Sequence, residues 1–217
     1  MFETRQPSRK LLVQLIATLM IIPYVFPLIA MVQGSLSGEG WGNFRAVFAV
    51  GAVPSFFRNS AIIAGVTILI VYLLTMLAAF GFSKLHVRGK EIYFWMMLVA
   101  LTLPEVVLLT PLFTTTLRLG LYDTHLAVIL PLAALQIPFT VLLTRNYVNG
   151  IPNELFGAAR VDGANTFQAF RFIILPMTYP IAAAIVILTL IAAWNSYLLP
   201  LVLLQDPAKQ KIGRAHV

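Results

Sequence analysis

Hydrophobic residues in this chain lie in long runs that charged residues interrupt only at intervals. Residues 11–38 carry no charge, and the most apolar part, 11–32, can cross a hydrocarbon core of about 30 Å at about 1.5 Å per helical residue. A second uncharged run, 59–83, predicts a span at 60–82. A third, 92–117, contains only Glu105 and predicts a span at 92–113, and a fourth predicts one at 125–144. The fifth run, 172–205, would be about 50 Å long as one straight helix, so it must hold more than one element. Pro176, Pro180 and Pro200 mark breaks in it, because an interior proline removes a helical hydrogen bond, and the crossing part is placed at 182–199.

Composition sharpens this picture. Of 217 residues, 59% are hydrophobic and 11% charged, against about 25% charged in ordinary soluble domains. A water-soluble fold is excluded on that ground. The net charge of +7 does not point to nucleic acid, since Lys and Arg are spread through short connections rather than gathered on one stripe. They act as topology signals instead. Arg5, Arg9 and Lys10 precede the first span, Lys84, Arg88 and Lys90 follow the second, and Arg145, Arg160 and Arg171 lie between the fourth and fifth. Only Arg45, Arg58 and Arg118 fall on the other side, so the N-terminus is expected in the cytoplasm. The first run is too long for a signal-peptide core and lacks a small-residue cleavage site. With no cysteine, and with His86, His125 and His216 isolated, no catalytic residue, metal or cofactor is assigned.

The connection between the fourth and fifth spans, 151–171, has its own local logic. Pro152 suits a helix start, Glu154 sits where the helix dipole favours an anion, and Leu155 with Ala159 forms an apolar edge. Asp162 and Gly163 supply a turn, and Asn165 or Thr166 can cap a second helix. A helix, turn, helix hairpin on the cytoplasmic face is expected. Physics alone leaves it as a surface connection.

The order Glu154-Leu155, Ala158-Ala159-Arg160, Asp162-Gly163-Ala164, then Phe170, Ile174-Leu175-Pro176 and Pro180 resembles the cytoplasmic motif of binding-protein-dependent ABC importer permeases. Trp194-Asn195-Ser196-Tyr197 with Pro200, and Asn43-Phe44 with Phe57-Arg58-Asn59-Ser60, are similar to patterns of the sugar-importing branch, the maltose and glycerol-phosphate permease relatives. The resemblance implies an all-α integral membrane protein with the multi-span type I ABC importer permease fold, in a bacterial or archaeal plasma (inner) membrane. It further implies a sister permease subunit, ATP-binding subunits and an extracytoplasmic solute-binding protein as partners. Energy would enter through the hairpin, with Glu154, Leu155, Gly157, Ala158, Ala159, Asp162 and Gly163 as the coupling residues. Gly157 departs from the family pattern, which carries a glutamate there, so an ionic contact is missing.

The chain has no GxxxxGK[ST] phosphate loop, so ATP hydrolysis is expected on a separate subunit. Candidate pathway residues are Glu105, Gln136, Trp194, Asn195 and Tyr197. Glu105 reads either as a cavity residue or as a carboxyl bonded within the bundle. Gln136, Thr140 and Thr144 recur at helical spacing, although threonine in a membrane helix more often bonds its own i−4 carbonyl. Trp194 and Tyr197 suit either sugar stacking or an interface belt. An importer for another solute class and an ion-coupled secondary transporter are the alternatives, the latter weakened by the lone carboxylate. Family members close with a sixth span, so a C-terminally truncated chain with five of six spans is expected. Residues 212–217 coincide with a translated frame of a sequencing adapter and are expected to be non-native.

Overall fold

A computed structural model describes residues 7–49, 51 and 53–211. Arg5 of the first basic cluster and the 212–217 segment lie outside the described residues. The packing divides between residues 51 and 52 into two units. The first holds α1 (Pro7–Leu36) and α2 (Trp41–Ala49). Asn43 joins them, its Nδ2 donating to the Ser35 and Ser37 carbonyls at 3.0 and 2.7 Å.

The second unit opens with α3 (Val53–Lys84), followed by α4 (Lys90–Val99), which runs on through a 3₁₀ turn at Ala100–Thr102. Then come α5 (Glu105–Arg118), α6 (His125–Asn149), α7 (Glu154–Val161) and the short α8 (Thr166–Ala169). A π turn at Phe170–Ile174 leads into α9 (Leu175–Met177), α10 (Tyr179–Asn195) and α11 (Leu198–Leu203), and a 3₁₀ turn at Pro207–Lys209 follows. By length and composition three helices can cross a membrane, Arg9–Leu36, Val53–Lys84 and His125–Asn149, or up to five if each of two bent pairs is one span.

Those pairs differ from straight spans. Where the uncharged run predicts one helix over 92–113, Lys90–Thr102 and Glu105–Arg118 meet at 105°. Pro104 is the cause, since it drives Leu103 out of helical geometry to φ −85°, ψ 118°. Thr166–Met177 and Tyr179–Asn195 meet at 74° near Thr178, between Pro176 and Pro180. The fifth crossing, expected over 182–199, stops being helical at Asn195, because Ser196 is extended at φ −61°, ψ 122°.

Helices α3, α6 and α10 form the centre. One apolar cluster joins Ile63 and Ala64 of α3, Val128 and Leu132 of α6, and Leu199 and Leu203 of α11. A second joins Val71, Met76 and Phe80 of α3 with Val148, Phe170, Ile174 and Ile185. The exposed flanks are also apolar, as in Leu69, Leu73, Trp95, Val106 and Ile187, and these surfaces suit lipid or another apolar partner.

A polar clasp closes the end of the bundle near the start of α3 and α6. The Asp123 carboxylate accepts from the Gln205 and Asp206 backbone N–H groups at 2.8 and 3.0 Å and pairs with Lys209 at 3.1 Å. The Asp206 and Gln205 N–H groups, helped by the lysine, hold this carboxyl below its ordinary range. Buried Asn59 donates to the Ala208 and Gln210 carbonyls at 2.8 and 3.1 Å. Lys211 Nζ donates to the carbonyls of Ala193, Trp194 and Ser196, satisfying the orphan acceptors at the end of α10.

Candidate functional site

Two backbone breaks border one cavity. The first lies at Leu103–Pro104 between α4 and α5, and the second at Ser196–Tyr197 between α10 and α11. Between them, against α6, is a space of about 420 Å³. Its polar lining is Glu105, Gln136, Asn195, Ser196 and Tyr197, with Leu132, Leu135 and Leu198 among its apolar residues. Glu105 reaches it as the first residue of α5, placed there by the Pro104 bend. Non-helical backbone at membrane depth is tolerated where it lines a cavity, because freed peptide groups can meet water or solute there.

Four of the five residues expected on a pathway thus converge: Glu105, Gln136, Asn195 and Tyr197. Trp194 does not join them. Its ring is 6.3 Å from that of Phe57, tilted by 50°, and it is 37% exposed. The break at Ser196 explains the separation, since Trp194 and Tyr197 are not one turn apart on a continuous helix. Gln136 also parts from Thr140. The Thr140 hydroxyl is buried against that of Thr75 at 2.7 Å and bonds the Gln136 carbonyl at 3.0 Å, so it belongs to helix packing. Ser196 is a cavity residue that sequence reasoning quoted within its motif but gave no role. Its Oγ is buried and has no hydrogen-bond partner.

The hairpin stands at the other end of α6. Lys84, the last residue of α3, donates to the Ile151 carbonyl at 2.7 Å and to Asn153 Oδ1 at 2.8 Å, with its ammonium 5.2 Å from the Phe156 ring centre. Asn153 therefore anchors the hairpin instead of capping α7 with its side chain. Gly163 turns the chain at φ +81°. Asn165 caps α8 reciprocally, its Oδ1 accepting from the Gln168 N–H at 2.9 Å while its own N–H donates to Gln168 Oε1 at 2.7 Å. Phe170 then buries against Phe80, ring centres 5.3 Å apart.

The expected coupling residues divide between two faces. Leu155 is 41% exposed, and Glu154, Ala158 and Asp162 are also exposed, beside Val161 at 88% and Phe167 at 70%. Gly157 and the half-buried Ala159 instead line a space of about 530 Å³ between the hairpin and the end of α3, together with Lys84, His86, Lys90 and Arg160. Apart from its chain neighbours and its own helix backbone, no heavy atom lies within 4 Å of where a Cβ on Gly157 would sit. Nearby, Arg145 pairs with Glu91 at 2.6 Å and stacks 3.9 Å over the Phe94 ring, fixing α4 to α6. Among the described residues no cluster of His, Asp and Glu suited to a metal occurs.

Comparison with known proteins agrees with this architecture. Residues 71–215 match the family described as "Binding-protein-dependent transport system inner membrane component". A probable ABC transporter permease protein, YurM of Bacillus subtilis, is 34% identical over 202 residues, covering 87% of this chain and 67% of that protein. The arabinooligosaccharides transport system permease protein AraQ of Halalkalibacterium halodurans is 35% identical over 165 residues, 76% of this chain and 58% of that one. The lactose transport system permease protein LacG of Rhizobium radiobacter is 32% identical over 195 residues, 84% and 71% respectively. The chain thus spans between 58% and 71% of the length of these three relatives. In fold it is similar to a solved bacterial ABC transporter involved in the import of the acidic polysaccharide alginate, with a TM-score of 0.77 at 20% identity over 96% of this chain and 79% of that one. The bent helices, the hairpin and the matched sequence lead to one conclusion: this chain is a multi-pass membrane protein of the binding-protein-dependent transport system inner membrane component family.

Proposed function

We propose that the chain is the membrane-spanning permease subunit of an ATP-driven importer for oligosaccharides or related polyhydroxylated solutes. The observation that carries this reading is the convergence of two backbone breaks and five polar side chains on one cavity in a chain of this family. A polar group facing lipid without a partner costs several kcal/mol, so such groups persist where water or solute meets them. Amides, a hydroxyl, a phenol and a carboxylate can hydrogen-bond sugar hydroxyls, and the ring of Tyr197 can offer an apolar face to the sugar. The relatives named for arabinooligosaccharides and lactose support glycans as the solute.

The N-terminus and the hairpin are cytoplasmic in this proposal, from the distribution of Lys and Arg. The exposed apolar face of the hairpin, Leu155, Ala158 and Val161, docks an ATP-binding subunit, and hydrolysis on that subunit moves the hairpin as a rigid element. A sister permease completes the pathway, and an extracytoplasmic solute-binding protein delivers the solute. The test is uptake of a labelled oligosaccharide by vesicles containing the full-length permease with its sister, ATPase and binding protein. Uptake that requires ATP inside and persists when ion gradients are collapsed is the expected result. Uptake driven by an ion gradient without ATP, or none with any glycan, overturns the reading.

A further inference from the structure

The polar lining of the cavity has unused bonding capacity and one sign of charge. Glu105, Gln136, Asn195 and Tyr197 have no side-chain hydrogen bond or ion pair among the described residues, and Ser196 Oγ is buried without a partner. Glu105 is the one charged residue among those that line the space. Lys211, bonded to backbone of the α10 end that borders the cavity, is 2% exposed, and its three protons are matched by the carbonyls of Ala193, Trp194 and Ser196. It presents no donor to the cavity. A solute carrying a carboxylate or phosphate would therefore meet a carboxylate and no cation from this subunit.

From this geometry we propose that the cavity is a charge filter that admits uncharged or amine-bearing glycans and rejects those bearing uronate or phosphate groups, with Glu105 as the selecting residue. The inference rests on the reading of the chain as a glycan permease and narrows its solute class. Like charges about 5 Å apart at an effective dielectric constant of about 20 would suppress occupancy by more than a hundredfold. Water in an open cavity weakens this, and discrimination of about tenfold is the expected scale.

The absence of cysteine permits a direct test, since one introduced thiol is unique in this chain. The full-length permease carrying Asn195→Cys is assembled with its partners in vesicles, and the thiol is modified with a cationic or an anionic methanethiosulfonate of similar size. Each rate is divided by that reagent's rate with a free thiol. The cationic reagent should react about tenfold faster, the preference should fall to near parity when Glu105→Gln is added, and Glu105→Asp should retain it. Gln136→Cys repeats the measurement from α6 if Asn195→Cys fails to assemble. Equal normalised rates with Glu105 intact, or a preference that Glu105→Gln leaves unchanged, overturn the filter. Uptake of an uncharged oligosaccharide is measured in parallel on the permease without the introduced cysteine. Its presence without a charge preference refutes the filter alone, whereas no uptake with any glycan, charged or uncharged, refutes the glycan reading and with it the assignment of solute class.

Discussion

The hydroxyls of Thr75 and Thr140 meet at 2.7 Å across the interface of α3 and α6, both side chains fully buried. Interhelical hydrogen bonds in membranes contribute modestly because the separated helices find other partners. Thr140→Val should destabilise the bundle by about 1 kcal/mol, and a cycle with Thr75→Val should return a coupling energy of about 0.6 kcal/mol. Unfolding in mixed detergent measures it. Strict additivity of the two substitutions would mean that the hydroxyls do not interact.

Asp123 holds the segment after α11 by two backbone N–H groups and Lys209, at a positive φ of 59°. Asp123→Ala should free residues 205–209 to proteolysis, and Asp123→Asn, which keeps an acceptor oxygen and tolerates this backbone region, should have a smaller effect. Because the folded carboxyl titrates below its unfolded value, its stabilisation is complete above about pH 4 and is lost only as pH falls through the depressed value. Protection of 205–209 should therefore be flat from neutral pH to about pH 4 and drop below it.

Gly163 turns the hairpin at φ +81°, with no heavy atom within 4 Å of the added Cβ position. The cost of a side chain there is conformational rather than steric. Gly163→Val should cost about 1–2 kcal/mol and lower solute-stimulated ATP hydrolysis, while Gly163→Asn should keep most of it. If the valine variant couples normally, the turn does not transmit the motion.

Gly157 occupies a helical position with free space beside it and faces the cavity that holds Lys84, Lys90 and Arg160. Gly157→Glu should be tolerated and should raise thermal stability by roughly 0.5 kcal/mol from helix propensity alone. The new carboxylate would meet Lys84, Lys90 and Arg160 of this chain rather than the proposed docking face, so the salt dependence of assembly with the ATPase should change little. A salt titration of co-purification with the wild-type and Gly157→Glu permeases checks this.

Much of the fold could be read from where charges stop, because long uncharged runs have few uses outside a bilayer. Pro176 and Pro180 were legible as a bend for the same reason that Pro104 should have been. Each removes a helical hydrogen bond, but the run 92–117 is short enough for one straight span, whereas 172–205 is too long and its prolines mark where it divides. Cavity residues were legible by chemistry, as polar groups within long apolar runs. Which of them meet was not, because that depends on the directions of two breaks. Trp194 shows the limit, since spacing alone puts it beside Tyr197, whereas α10 ends at Asn195 and leaves Trp194 against Phe57 while Tyr197 lies beyond the break. The clasp at Asp123 and Asn59 left little trace, as its acceptors and donors are mostly backbone.

The π turn at Phe170–Ile174 gives the chain a place where its length can change. Such a turn is an α-helix with one residue to spare, so deleting a residue there restores the ordinary winding while the helices on either side keep their faces. The same deletion within α10 would swing everything beyond it by about 100°, turning cavity groups toward lipid. Descendants of this sequence that are one residue shorter can therefore have lost it between 170 and 174 without disturbing either the hairpin or the cavity.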